Sequence, residues 1–154
     1  MSIESRLNDL GIVLPEAPKV LGLYKPVLVV EGLAYTSGHG PLNPEGGFVC
    51  GKLGVDLDAE AGAAAARLVA VAMLSSLKAE LGSLDRIECI VRTLGLVNSA
   101  SDFTAHPAVI NGFSELMKQV FGDEAGVGAR SAFGAAALPA GWAVEIEAVF
   151  QLRK

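Results

Sequence analysis

The chain has 154 residues, 51% of them hydrophobic and 19% charged, with 12 Lys+Arg against 17 Asp+Glu for a net charge of −5. That length sets a single domain with a sizeable core, and the acidic balance supplies no general field toward phosphate backbones or anionic membranes. A mean hydropathy of +0.45 is the reverse of the disordered signature, and so much apolar material with so little charge points to surface buried between subunits.

Ile3, Leu7 and Leu10 recur at helical spacing after Ser2 and before Gly11, which predicts a short amphipathic helix over 2–11. This stretch has neither the basic n-region nor the apolar h-region of a signal peptide. Cys50 and Cys89 lie far apart, outside any CxxC or zinc-ligand spacing, so no disulfide scaffold and no metal site is expected. A reducing, cytoplasmic setting fits. After Pro15 and Pro18, Val27–Val30 and Leu33–Ser37 flank Glu31-Gly32, a two-residue turn between β-rich runs, and predict a hairpin. Residues 38–47 are turn chemistry, followed by a short strand or irregular piece around Phe48–Lys52.

Asp58 caps a run of strong helix formers that Gly82 stops, predicting a helix over 59–81. Its most apolar part, Ala61 to Leu77, is broken by Arg67, Ser75 and Ser76 and falls short of the roughly 20 residues of a membrane span. It reads as a core helix. Ile87–Val97 predicts a long strand, and Pro107 starts a helix over 107–121 that Gly122 ends. Ala129–Ala137 and Trp142–Leu152 flank a four-residue loop and read as an antiparallel hairpin. The order describes an α+β domain over 1–154, with 1–14 as a helical extension and helices packed on one face of a mixed sheet.

The sharp nucleotide, zinc and hydrolase motifs are absent from the sequence. His39 and His106, each beside a Pro-containing turn, read as surface or structural histidines rather than halves of a catalytic pair. Ser37-Gly38 reads equally as an ordinary turn or as backbone open to a ligand. If residues 138–141 form the hairpin loop, Arg130, Ala132 and Gly134 share a sheet face with Glu145 and Glu147. That group is either a structural ion pair or a site, and a one-residue slip would move the arginine to the other face.

Tyr-Thr-Ser-Gly-His-Gly-Pro-Leu-Asn-Pro-Glu-Gly-Gly (35–47), Ala-Arg-Ser-Ala (129–132), Leu-Pro (138–139) and Val-Glu-Ile-Glu-Ala (144–148) occur in that order. Together they resemble the signature segments of the Rid superfamily, the reactive-intermediate deaminases also called YjgF or endoribonuclease L-PSP-like proteins, from about Pro18 to the C-terminus. The resemblance implies a chorismate-mutase-like fold assembled as a homotrimer, with ligand clefts between subunits and no metal or organic cofactor. It implies hydrolysis of 2-imino or 2-enamino acids to 2-keto acids and ammonia. Arg130 would clamp the substrate carboxylate, for which a planar guanidinium is suited, and Glu145 would hold the attacking water. Tyr24, Ser37, Gly38 and Ser131 would line the cleft, with an asparagine of the second helix that aligns at Ile110 or, after a one-residue shift, Asn111. Ala132 stands where many members carry a cysteine, the stretch from Phe103 to Phe113 is longer than usual, and the first helix is extra. These departures resemble a divergent branch. The alternative function is a non-catalytic trimeric binder of small carboxylates, and a ribonuclease or translation-inhibitor role ranks third because the chain has no basic tract.

Overall fold

The computed structural model describes all 154 residues. Its elements are α1 (Ile3–Asp9), β1 (Val27–Val30), β2 (Leu33–Thr36), α2 (Ala59–Leu81), β3 (Ile87–Asn98), α3 (His106–Phe121), β4 (Ala129–Ala135) and β5 (Val144–Leu152), with single 3-10 turns at Leu84–Arg86 and Pro139–Gly141. Local chemistry fixes their ends. The Ser2 hydroxyl accepts the Ser5 N–H at the start of α1, and Asp58 Oδ1 accepts the Ala61 N–H at 2.8 Å to open α2. In the first hairpin Glu31 (φ 48°) and Gly32 (φ 79°) both take left-handed backbone, which a two-residue turn matched to strand twist requires. Phe48–Lys52 forms no strand and contributes only isolated bridges, Leu42 to Phe48 and Cys50 to Trp142.

The five strands form one mixed sheet in the order β1-β2-β5-β3-β4, with β3 and β4 parallel and every other pair antiparallel. The expected antiparallel β4–β5 hairpin is therefore corrected, because β3 lies between the two strands. Parallel β3 and β4 need a long crossover, which α3 supplies, and residues 136–143 then step past the end of β3 to start β5. Apolar content sorts the positions. β3 and β5 carry the alternating buried residues of central strands, whereas β4 (Ala-Arg-Ser-Ala-Phe-Gly-Ala) has too little apolar volume for the middle and takes an edge.

α2 and α3 cover one face of the sheet. α2 is apolar nearly all round because it is wedged between α3 and the sheet, and Ala65, Ala66, Val69, Ala70, Met73 and Leu74 are all buried. At 23 residues it is long and apolar enough to cross a membrane by length and composition, yet 61% of its most apolar window is buried within the fold. Gly112 of α3 lies so close to the Ala63 backbone carbonyl of α2 that a Cβ could not fit. α1 packs on α3 through buried Leu7, and its Ile3 N–H donates to Asp85 Oδ1 at 2.7 Å. The opposite sheet face has no cover, and Leu28, Val30, Tyr35 and Phe133 are 42–49% exposed there.

Candidate functional site

Register decides which side chains meet. Thr93 of β3 pairs with both Arg130 and Ala148, while Leu94 pairs with Ser131 and Glu147, and Leu96 with Phe133 and Glu145. Residues in one row share a face, so Arg130, Ala132 and Gly134 point toward the helices. Glu145 and Glu147 occupy the uncovered face. The shared face expected from the hairpin is corrected: inserting β3 between the two strands replaces the assumed pairing and shifts the register by one.

Arg130 emerges from the edge strand beneath α3. Its Nη1 donates to Asn111 Oδ1 at 2.9 Å and to Ser114 Oγ at 3.1 Å, two neutral acceptors one helical turn apart on α3. Asn111, not Ile110, is the helix residue that meets it; Ile110 is fully buried, its side chain over Gly95 of β3. The two ion pairs in the molecule are Lys78–Glu4 and Lys118–Asp123, so the Arg130 guanidinium is oriented but not neutralised. A fork held by neutral side chains remains able to receive an external carboxylate.

Glu145 sits at the other half. Its carboxylate lies against Gly38 where a Cβ would stand, which explains the glycine by close approach rather than by turn conformation. Burial pushes the Glu145 carboxyl above its ordinary value of 4.5, and the like charge of Glu147 adds to the rise. Ser37 turns away, its hydroxyl donating to the Lys25 carbonyl at 2.6 Å. Tyr24 lies in the bend before β1 and, with Gly38, His39, Gly40 and Trp142, lines a small cleft whose wall holds the buried indole N–H of Trp142 without a hydrogen-bond partner.

Of the expected site residues, Tyr24 and Gly38 line one cleft, Glu145 meets Gly38, and Ser37 stands beside Gly38, while Arg130 and Asn111 meet elsewhere. Ser131 belongs to neither. Its hydroxyl accepts from Arg92 Nη2 at 3.1 Å on the uncovered face. Strand spacing sets Arg130 and Glu145 roughly 14 Å apart in backbone position, on opposite faces. Sequence reasoning missed Ser114, which helical spacing from Asn111 could have offered, and Arg92, which alternation with Leu94 and Leu96 would place on the open face. It also missed Ser76. His39, expected to be surface or structural, is buried with one ring nitrogen 2.9 Å from Ser76 Oγ and the other 2.7 Å from the Ser37 carbonyl, and burial holds its pKa below 6.5 against the opposing pull of that carbonyl. No group of three or more His, Cys, Asp or Glu side chains is placed to hold a metal ion.

Residues 4–146 match the family described as "YjgF/chorismate_mutase-like, putative endoribonuclease". The chain is 40% identical to Protein TCP17 of Trypanosoma cruzi over 150 residues, 97% of this chain and 94% of that one. Two solved structures are similar throughout. The Agrobacterium tumefaciens protein Atu1372, described as of unknown function, is 38% identical with a TM-score of 0.89, covering 98% of this chain and 92% of its own. A Shewanella oneidensis MR-1 protein that carries the endoribonuclease description is 33% identical with a TM-score of 0.93, covering 99% and 100%.

Proposed function

This chain belongs to the YjgF/chorismate mutase-like family, and from that membership we propose that it hydrolyses 2-imino or 2-enamino acids to 2-keto acids and ammonia in clefts shared between copies of a homotrimer. The observation that carries the reading is Arg130, a guanidinium oriented by Asn111 and Ser114 with no carboxylate of its own. Arg130 and Glu145 lie too far apart, and on opposite faces, to act on one small molecule within a protomer. An interface that sets the Arg130 edge of one copy against the Gly38–Glu145 surface of another would complete the site. The uncovered apolar sheet face offers the surface to drive it.

The chemistry asks little of the protein. Arg130 fixes the substrate carboxylate and so positions the electrophilic C=N carbon. Ionised Glu145 accepts a proton from water as the water oxygen attacks that carbon, and the C=N π pair moves to nitrogen, which takes that same proton from Glu145 and leaves the carboxylate ionised again. In the collapse of the carbinolamine its hydroxyl gives its proton to Glu145 as C=O forms and the C–N bond breaks, and Glu145 passes that proton to the departing nitrogen, which leaves as ammonia. The substrate already contains the reactive bond, so neither metal nor organic cofactor enters the proposal.

Ala132, in place of a cysteine beside Arg130, favours a second reading in which the same cleft binds small carboxylates without turnover. The test separates the two. Wild-type protein is expected to accelerate decay of 2-iminobutyrate generated in situ, with ammonia released, and Arg130→Ala to lose at least a hundredfold of that rate while keeping its circular dichroism spectrum. Keto-acid binding without acceleration would establish the binder instead, and an Arg130→Ala variant as fast as wild type would overturn the site. The endoribonuclease wording attached to the relatives finds little support in a chain of net charge −5 without a basic tract.

A further inference from the structure

Four residues beyond Arg130 on the same face of β4, roughly 13 Å along the strand, Gly134 forms the floor of a second pocket of about 540 Å³ that opens to solvent. Lys52, Ser99, Ser101, Phe103 and His106 line it, together with Ala100, Ala135 and Ala136, and no acidic residue does. Lys52 comes from the irregular segment before α2. Its ammonium donates to Asn98 Oδ1 at 2.9 Å and to the Ala136 carbonyl at 2.8 Å, while its third contact, the Ser99 carbonyl, is at the 3.5 Å limit. It takes part in neither ion pair of the molecule. Asp56 is occupied with the Lys52 backbone N–H at 2.8 Å, so it pins the segment rather than the charge. A half-buried ammonium held by neutral oxygens pays a desolvation cost that an incoming anion would offset.

The opposite wall is built with equal definition. His106 Nε2 lies 3.1 Å from Ser99 Oγ, and the Phe103 ring meets the imidazole edge-on with centroids 5.3 Å apart. A Cβ at position 134 would stand 2.6 Å from Ser99 Oγ and 2.8 Å from His106 Nε2, so the Ser–His pair rests directly on the glycine backbone. His106 also opens α3, whose cap residue Ala105 offers no side-chain acceptor and whose first turn holds no acid. The positive end of the helix therefore adds to the field of Lys52.

We propose that this pocket binds a small oxyanion group, a carboxylate or a phosphate, with Lys52 supplying the charge and the Ser99 and Ser101 hydroxyls and His106 the hydrogen bonds. The site is separate from Arg130 and stands whether or not the imine reaction does. The chain has two histidines, and His39, buried against Ser76 beside Gly38, reports the Gly38 cleft separately. In full-length protein at fixed pH and ionic strength, inorganic phosphate and acetate are titrated separately while the histidine ring resonances are followed by NMR. One anion at least is expected to shift His106 saturably, at a midpoint independent of any shift of His39, with Lys52→Met weakening it at least tenfold and Arg130→Lys leaving it unchanged. Tighter binding of phosphate marks a phosphorylated ligand, and equal or tighter binding of acetate marks a carboxylic one. Should Lys52→Met fail to fold, Gly134→Ala, which pushes apart Ser99 and His106, is expected to give the same loss. Absence of a saturable His106 shift with both anions, unchanged binding in the folded variants, or loss of binding in Arg130→Lys would each overturn the proposal.

Discussion

Glu145 and Gly38 fit one another: the glycine makes room for the carboxylate, and a larger residue at 38 would have to push the Glu145 side chain aside. The half-burial that results, together with Glu147, raises the Glu145 pKa above 4.5. A carboxyl with a higher pKa folded than unfolded destabilises the fold once it ionises, so the destabilisation is absent in acid and grows as pH rises through the range above 4.5. Glu145→Gln is therefore expected to melt higher than wild type at about pH 8, by a few degrees, and to converge with it near pH 4, while losing imine hydrolysis. Thermal melts at the two pH values check this, and a variant less stable than wild type at pH 8 would contradict it. The candidate residues Tyr24, Ser37, Gly38, Arg130 and Glu145 were legible because they stand in recognisable segments. Ser37 differs in use, since its hydroxyl is spent on the Lys25 carbonyl. Nothing in the residues on either side of 37 reveals that partner.

At the level of elements, local signals were sufficient wherever they were themselves local. Asp58 and Gly82 bound α2 at both ends, and Glu31-Gly32 makes the first hairpin because only those two residues separate its strands. The second hairpin failed because a short loop between two β-rich runs does not report a third strand inserted from earlier in the chain. The choice between a direct β4–β5 pairing and a β3-centred arrangement is made by whichever buries more apolar surface, and β3 has Ile87, Ile90 and Val97 to offer the core. Helix contact is set the same way. Gly112 admits the α2 backbone at Ala63, so Gly112→Ala is expected to cost about 2–4 kcal/mol and to lower the melting temperature by roughly 5–15 °C. A calorimetric scan would register it. A melt within a degree of wild type would mean that the two helices separate without penalty.

For the whole molecule the question is what covers the open sheet face. Leu28, Val30 and Tyr35 on β1 and β2 and Phe133 on β4 lie on it at 42–49% exposure, apolar positions at both ends of the sheet of the kind that oligomers bury, with Arg92, Glu145 and Glu147 between them. Wild-type protein is expected to sediment as a trimer at micromolar concentration, and Phe133→Glu, which puts a charge into that face, as a monomer that retains its fold and loses imine turnover. A monomeric wild type would remove the shared cleft. The surplus of apolar residues over charge was visible from composition, as were the elements of α2, β3 and α3 and the family signatures, because each depends on residue type and near-neighbour spacing. Only the tertiary structure decided that β3 separates β4 from β5, that Arg130 turns to α3 while Glu145 turns to the open face, and that Lys52 meets His106 across Gly134. Those facts follow from which strand pairing buries the most apolar surface, a comparison among segments tens of residues apart that no local pattern encodes.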